Sequence, residues 1–158
     1  MFPTPLLPAP DMPRLSESIT VRRPRPDVVA YMDDVTREHE WQPSLIEASQ
    51  DPPGPTRVGT QKRYVSEFLG KRVENTYEAI EVDPGSRVTY RTTRDSTLQA
   101  TSEVEWADEG TDTRVTLSVD GRPTGVLRFV PKGIIEDASL RQLRDTLRRL
   151  KECLESTP

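Results

Sequence analysis

The clearest pattern in this chain is a stripe of leucines near its C-terminal end. Leu140, Leu143, Leu147, Leu150 and Leu154 recur at steps of three and four residues, the spacing that places side chains on one face of an α-helix. Charged residues fill most of the positions between them. Because an apolar helix face needs an apolar surface to cover it, the stripe predicts a long amphipathic helix that packs against the rest of the chain.

The preceding part of the chain alternates between apolar and polar residues with a period of two, as β-strands with one buried face do. Turn residues such as Asp83-Pro84-Gly85 and Asp108-Glu109-Gly110 separate the alternating runs, which predicts antiparallel strands joined by short turns. The predicted strands are Leu15 to Val21, Leu45 to Ser49, Gln61 to Leu69, Lys71 to Val82, Arg87 to Thr93, Leu98 to Ala107 and Thr113 to Asp120.

Two short helical segments are predicted between the first two strands. The first follows Asp27, which is a residue type that favours the start of a helix. The second ends before Pro43, because a proline disfavours helical geometry in the residue that precedes it. The predicted order is therefore one strand, two short helices, six strands and one long helix.

The alternation also assigns the two faces of the sheet. One face collects charged residues such as Arg63, Glu74, Arg91 and Glu103, and we expect it to be exposed to solvent. The other face holds no arginine, and we expect it to face the helix. This assignment assumes strands without bulges. The expected inner residues are Tyr64, Ser66, Phe68, Val73, Asn75, Tyr77, Ala79, Val88, Tyr90, Thr92, Ala100, Ser102, Val104, Trp106, Val115, Leu117 and Val119.

Length and composition predict one domain with a short extension. A chain of 158 residues is long enough for one hydrophobic core and too short for two. Five prolines fall within the first 13 residues, so we expect residues 1–14 to be a Pro-rich flexible tail and residues 15–158 to form a single domain. The tail has no unbroken apolar run of the kind found in signal peptides.

Charge and residue counts exclude several classes of function. The net charge is −4 and both signs are mixed along the chain, so we expect no nucleic-acid partner. No stretch is long enough to cross a membrane, and we expect no stable membrane insertion. A single cysteine, Cys153, fits a reducing compartment, and we expect a cytoplasmic protein that is a monomer or a homodimer. One histidine and one cysteine supply no metal site, and we expect no cofactor.

Several short segments narrow the fold. These segments are Pro26 to Asp34, Glu40 to Ser44, Val58-Gly59-Thr60, Tyr77-Glu78 and Glu81 to Pro84. Together with the order of the predicted elements, they resemble the START-like helix-grip (SRPBCC) superfamily, and within it the polyketide cyclase/dehydrase and lipid transport branch. The resemblance runs from about Ser16 to Glu155.

This resemblance implies an α+β helix-grip fold, in which a curved antiparallel sheet of about seven strands wraps around the long C-terminal helix. It also implies an internal cavity between the sheet and the helix that binds an apolar or polycyclic small molecule. Some members of this branch cyclise or dehydrate such a molecule, and others only carry it.

The expected cavity defines the candidate ligand-binding residues. Its aromatic residues combine an apolar body with a polar tip, as small-molecule sites require, although core filling explains them equally well. Its hydroxyl and amide groups cost roughly 1–3 kcal/mol each if they are buried without a partner, so either a ligand, a water molecule or the protein itself binds them. The candidates are Tyr64, Ser66, Phe68, Asn75, Tyr77, Tyr90, Thr92, Ser102, Trp106 and Phe129.

The sequence leaves three functions open. The first is the binding of a hydrophobic small molecule. The second is a cofactor-independent cyclase or dehydratase, in which Tyr77, Tyr90 or Asn75 orients a carbonyl chain and His39 or a hydroxyl moves a proton. A solvated surface position is the alternative for His39, and the lack of an interior arginine departs from the cyclases of this branch. The third function is a module whose apolar groove binds a protein partner.

Overall fold

The computed structural model describes residues 12–124 and 127–156, which form one sheet and three helices. A short 3₁₀ helix, Val35–Arg37, joins the first two helices. The strands are β1 (Met12–Val21), β2 (Leu45–Asp51), β3 (Gln61–Phe68), β4 (Lys71–Asp83), β5 (Arg87–Thr92), β6 (Leu98–Glu109) and β7 (Asp112–Pro123). The helices are α1 (Arg25–Asp33), α2 (Glu38–Trp41) and α3 (Lys132–Glu155). The structure thus confirms the predicted helix-grip fold.

The sheet is antiparallel throughout, with the strand order β1-β7-β6-β5-β4-β3-β2. Consecutive hairpins connect β2 through β7, whereas β1 pairs with the last strand of the chain. The two edge strands, β1 and β2, are joined through α1 and α2. Helix α3 packs against β1 and α2, so it lies across the same face of the sheet as the two short helices.

β1 begins earlier than the alternation predicted. It starts at Met12 rather than Leu15, so the predicted tail is wrong for residues 12–14; residues 1–11 lie outside the described part. A proline in this strand is compatible with the sheet because β1 is an edge strand, and its register with β7 shifts between Met12 and Leu15. Edge strands and bulges are the places where a sheet accommodates proline.

Turns and bulges fix how the strands present their side chains. β3 and β4 are joined by Leu69 and Gly70, which both have positive φ angles, as a two-residue hairpin turn of type I′ requires. The register of β4 with β5 shifts between Ala79 and Glu81. This bulge brings Val82 to the same side as Ala79, where it packs against the hydrophobic core. The assumption of bulge-free strands was therefore wrong at this point.

Two hydrophobic clusters lie between the sheet and the helices. The larger one, called here the main core, joins β-strand residues to α1 and to the C-terminal half of α3. The smaller one, the minor core, joins β4 to the segment before α3 and to the first turns of α3, and comprises Val73, Leu127 and Ile135. The main core includes Val21, Val28, Tyr31, Met32, Trp41, Ala79, Val88, Val104, Trp106, Val115, Leu147, Leu150 and Leu154.

The predicted leucine stripe is only partly buried. Leu147, Leu150 and Leu154 belong to the main core, whereas Leu140 and Leu143 are partly exposed. Within the described residues, no helix is both long enough and apolar enough to span a bilayer.

Candidate functional site

A cavity of about 260 Å³ lies between the sheet and α3. Members of both cores contribute to its wall, as do the polar side chains of α3 that follow Ile135. The wall is rich in aromatic residues, and six of them contact the cavity: Trp41, Tyr64, Phe68, Tyr77, Tyr90 and Trp106.

Most of the residues predicted to bind a ligand lie on this wall. They are Tyr64, Ser66, Phe68, Asn75, Tyr77, Tyr90, Ser102 and Trp106. They come from four adjacent strands, β3 to β6, because residues of like parity on neighbouring strands share one face of the sheet. Their contact with a ligand stays a prediction.

Three other candidates lie away from the wall. Thr92 is buried, but its hydroxyl accepts a hydrogen bond from Ala100 N at 2.9 Å and lies 3.3 Å from Ala100 O, so the backbone satisfies it. Phe129 is 79% exposed, because it lies in the segment before α3 rather than on a strand. His39 is exposed on the outer side of α2, which is the surface alternative considered for it. Thr92 and Phe129 are therefore absent from the wall of this cavity, and their contact with a ligand stays a prediction.

Three tyrosines form a row across β3, β4 and β5. The ring centroids of Tyr64 and Tyr77 are 5.8 Å apart, and those of Tyr77 and Tyr90 are 6.4 Å apart. Rings at these separations attract one another through edge and tilted contacts. The row therefore holds a rigid aromatic surface along one side of the cavity.

Some polar groups on the wall have no partner in the described part of the chain. Asn75 Oδ1 accepts a hydrogen bond from Leu98 N at 2.9 Å, which fixes the side chain and leaves its NH₂ group free. The Tyr77 hydroxyl and the Ser66 and Ser102 hydroxyls make no hydrogen bond to a described residue. Burial raises the pKa of Tyr77 to about 12, so this phenol remains a hydrogen-bond donor at neutral pH.

Two oppositely charged residues are buried at one end of the cavity, next to α1 and α2. Glu38 of α2 is 2% exposed and Lys62 of β3 is 3% exposed, and both contact the cavity. Lys62 Nζ lies 3.4 Å from Asp33 Oδ1 and 3.9 Å from Glu38 Oε1. The ring centroid of Tyr90 is 5.7 Å from the same nitrogen.

Hydrogen bonds hold both carboxyl groups in place. Tyr64 donates its hydroxyl to Glu38 Oε1 at 2.8 Å, and Gln42 donates Nε2 to Glu38 Oε2 at 2.5 Å. Asp33 accepts from the backbone N of Thr56 at 3.1 Å and also from the hydroxyl of Thr56. Helices α1 and α2 and strand β3 thus meet in one polar cluster, which we call the Glu38–Lys62 cluster.

The environment of this cluster changes how its groups titrate. Burial raises the pKa of Glu38 to about 7, although the charge of Lys62 and the hydrogen bonds from Tyr64 and Gln42 act in the opposite direction. Burial alone would lower the pKa of Lys62, but Tyr90, Glu38 and Asp33 outweigh that effect and raise it. At neutral pH the cavity therefore presents an ammonium group beside a carboxyl group that titrates near pH 7.

Neither member of this pair was among the residues predicted from the sequence. Lys62 has the same parity as Tyr64 on β3, so extending the inner face by one step would have included it. Glu38 lies next to His39 in a highly charged segment, and its burial depends on how α2 packs against β3. Within the described residues, no group of three or more His, Cys, Asp or Glu side chains is arranged to bind a metal ion.

Comparison with known proteins agrees with this fold. A family model described as polyketide cyclase/dehydrase and lipid transport matches residues 12–155. A START superfamily protein from Mycobacterium smegmatis has a TM-score of 0.76 at 12% identity, over 92% of this chain and 99% of that one. No curated protein matches by sequence.

Two other solved structures have a similar fold. The Zhui aromatase/cyclase from Streptomyces sp. R1128 has a TM-score of 0.76 at 16% identity, over 90% of this chain and 93% of that one. A ginseng major latex-like protein from Panax ginseng has a TM-score of 0.69 at 14% identity, over 92% of this chain and 98% of that one. At such identities the similarity shows a shared fold.

Proposed function

Since the chain belongs to the polyketide cyclase/dehydrase and lipid transport family, we propose that it binds a hydrophobic or polycyclic small molecule in the cavity between the sheet and α3. The residue composition of the cavity wall is the observation that supports this proposal. The row of three tyrosines contacts the cavity, and so do two tryptophans and one phenylalanine. Several polar groups on the same wall lack a hydrogen-bond partner in the described residues. Such a combination is typical of small-molecule sites.

The size of the cavity favours a compact ligand. Its volume of about 260 Å³ is slightly below the roughly 300–1,000 Å³ of most ligand sites. A molecule of two or three fused rings matches this volume better than a long-chain lipid does.

Binding is tested by native mass spectrometry of freshly purified protein, followed by titration with a panel of fused-ring aromatic compounds. We expect either a stoichiometric adduct or saturable binding of a compound from the panel. Protein that is empty and also binds no compound in the panel would contradict the proposal.

A matched pair of variants locates the site. Ser102→Phe places a large side chain in the cavity, because Ser102 is on the wall. Thr101→Phe changes the adjacent residue of β6, which has the opposite parity and is absent from the wall. We expect Ser102→Phe to abolish binding and Thr101→Phe to preserve it, with the folding of both checked by circular dichroism. Equal binding by the two variants would place the ligand elsewhere.

A second function, cyclisation or dehydration of a polyketone, is favoured by the Glu38–Lys62 cluster. In an aldol cyclisation, Lys62 would donate a hydrogen bond to a ketone oxygen while the Glu38 carboxylate removes a proton from the adjacent carbon. The resulting enolate carbon would attack a second carbonyl carbon. The proton on Glu38 would then pass to the alkoxide formed there.

Turnover of a synthetic poly-β-ketone, followed by liquid chromatography and mass spectrometry, tests this second function. We expect Glu38→Gln to lower the rate by about 100-fold, since general base catalysis contributes on the order of 10²–10⁴. A lack of turnover by the unmodified protein, in the presence of binding, would reject catalysis and leave the binding function intact.

A further inference from the structure

The end of the cavity formed by the Glu38–Lys62 cluster is more polar than a purely hydrophobic ligand requires. An ammonium group has three N–H donors, and within the described residues Lys62 Nζ bonds to two groups, Asp33 Oδ1 at 3.4 Å and the side chain of Tyr90. Glu38 Oε1, at 3.9 Å, is beyond hydrogen-bonding distance. A buried charge with unfilled donors is costly unless another group satisfies it. Lys62 therefore has one donor available for a molecule in the cavity.

Other hydrogen-bond donors on this wall are also available. The NH₂ group of Asn75 and the hydroxyl of Tyr77 also lack a partner in the described part of the chain. Glu38 accepts hydrogen bonds from Tyr64 and Gln42, and its Oε1 lies 3.9 Å from Lys62 Nζ, too far to satisfy the remaining donor. A ligand that complements this wall must supply hydrogen-bond acceptors.

The charges around Lys62 restrict which acceptor fits. Lys62 is the only cationic residue among the described residues of the wall. Two acidic residues of the wall, Asp33 and Glu38, lie close to its ammonium group. α3 contributes only uncharged residues to the wall, such as Ser139, Gln142 and Thr146. An anionic ligand group would face two acids across one lysine, whereas a neutral oxygen would meet the lysine without that repulsion.

We propose that the ligand presents a neutral oxygen acceptor, a ketone or quinone carbonyl, to Lys62, and that Asp33 and Glu38 exclude a carboxylate from this position. This inference rests on the proposed binding function. It assigns the cavity a polar end with its own selectivity, in addition to its hydrophobic wall.

The selectivity should depend on pH. The charged and titratable groups that face Glu38 are Asp33 from α1, together with Lys62 and Tyr64 from the sheet. Because the pKa of Glu38 is about 7, lowering the pH from 8 to 6 adds a proton to this carboxyl group. The repulsion of an anionic ligand then weakens, while the binding of a neutral ketone changes little.

Three β-substituted naphthalenes of nearly equal shape test the proposal by isothermal titration calorimetry. They are acetylnaphthalene, isopropylnaphthalene and naphthoate, which carry a ketone, a hydrocarbon branch and a carboxylate. At pH 8 we expect the ketone to bind about tenfold more tightly than the hydrocarbon, the change expected for one hydrogen bond to a charged donor. We expect naphthoate to bind more weakly than both, and to gain affinity at pH 6.

The ratio of ketone to hydrocarbon affinity is then measured in variants. Lys62→Met should reduce this ratio to about one, and the double variant Lys62→Met, Glu38→Gln provides the same test without a buried unpaired carboxylate. Lys71→Met, at an exposed position of β4, should leave the ratio unchanged. Because the ratio is taken within one variant, a loss of folded protein does not alter it.

The outcomes separate the two proposals. If none of the three naphthalenes binds, the proposed cavity function fails for ligands of this class. If all three bind and the ketone has no advantage over the hydrocarbon, or if Lys62→Met preserves that advantage, the inference about Lys62 is overturned and cavity binding stands. Tighter binding of naphthoate than of the ketone at pH 8 would overturn the exclusion of carboxylates.

Discussion

The two halves of α3 cover different surfaces. In the C-terminal half, Leu147, Leu150 and Leu154 are buried in the main core against β-strands and α1. In the N-terminal half, Ser139 and Gln142 contact the cavity instead. The same helix therefore closes a packed interior at one end and an open space at the other.

This difference shows how the fold makes room for a ligand. Along the inward side of α3, large apolar residues are replaced by Ser139, Gln142 and Thr146 at steps of three and four residues. These side chains are shorter or more polar than leucine, so they do not fill the space beneath the helix. The cavity therefore results from a local change of residue type within a continuous amphipathic helix.

The first prediction compares the two halves directly. Leu150 is 0% exposed in the main core, so we expect Leu150→Ala to lower the free energy of unfolding by about 4 kcal/mol, through lost burial and a new void. Leu143 lies on the cavity wall and is partly exposed. We expect Leu143→Ala to cost about 1 kcal/mol, because it enlarges an existing space rather than creating one. Urea denaturation measures both values.

Equal losses in these two variants would mean that the N-terminal half of α3 is as tightly packed as the C-terminal half. The comparison also predicts a difference in ligand binding. Leu143→Ala should change the affinity for a compound that fits the cavity, whereas Leu150→Ala should leave that affinity unchanged in the fraction of protein that stays folded.

The second prediction concerns the charge buried at the cavity end. The folded-state pKa of Glu38, about 7, is above its ordinary value of 4.5, so the folded protein binds the proton more tightly than the unfolded chain does. Between pH 4.5 and about pH 7 the folded state binds more protons than the unfolded chain does. The stability contributed by Glu38 therefore falls as the pH rises through this range. The full loss is roughly 3 kcal/mol, at about 1.4 kcal/mol for each pH unit.

Glu38→Gln isolates this contribution. We expect the free energy of unfolding of the unmodified protein, minus that of the variant, to decrease between pH 5 and pH 8. Glu67→Gln changes an exposed carboxylate on β3 and serves as the control for the loss of a carboxylate from the same strand region. A constant difference for Glu38→Gln would show that the carboxyl group of Glu38 titrates normally.

The sequence predicted the sheet and α3 because both have one buried and one exposed face. Alternation along β3 to β7 and the leucine stripe of α3 are direct consequences of that half-burial. The limits of β1 were less predictable, because Pro13 is compatible with a strand only at a sheet edge. The bulge after Ala79 changes the parity of the apolar positions, from Ala79 to Val82, but a single apolar residue beyond the change is too short a pattern to locate a bulge.

The cavity wall was predictable where it consists of strand residues of one parity, such as Tyr77 and Ser102. The polar end was not, because three different elements create it. Asp33, Glu38 and Lys62 are each ordinary surface residue types, and only the packing of α1 and α2 against β3 brings them together. The sequence alone contains the pattern of each element but not these contacts between elements.

The third prediction, with the smallest expected effect, concerns the far end of α3, opposite the cavity. Glu155 accepts hydrogen bonds from Arg22 N at 2.8 Å and Lys151 Nζ at 2.6 Å, and Lys151 also donates to Thr20 O at 2.7 Å. These bonds tie the last turn of α3 to the end of β1. Burial raises the pKa of Glu155, but the hydrogen bonds from Lys151 and Arg22 outweigh it and hold the pKa at about 2.

A carboxylate with a lowered pKa stabilises the fold above its ordinary pKa of 4.5, and this contribution disappears as the pH falls towards 2. Arg22 is largely exposed, so solvent screens the interaction, and we expect Glu155→Gln to cost about 1 kcal/mol at pH 7. The loss should shrink at pH 3, whereas Glu152→Gln, at an exposed position of the same helix, should have no effect at either pH. A loss that is equal at both pH values would mean that Glu155 contributes through packing. The contacts of Glu155 would then stabilise the packed end of α3 independently of its charge. Of the two carboxyl groups compared, only Glu38 at the cavity end would make the stability depend on pH.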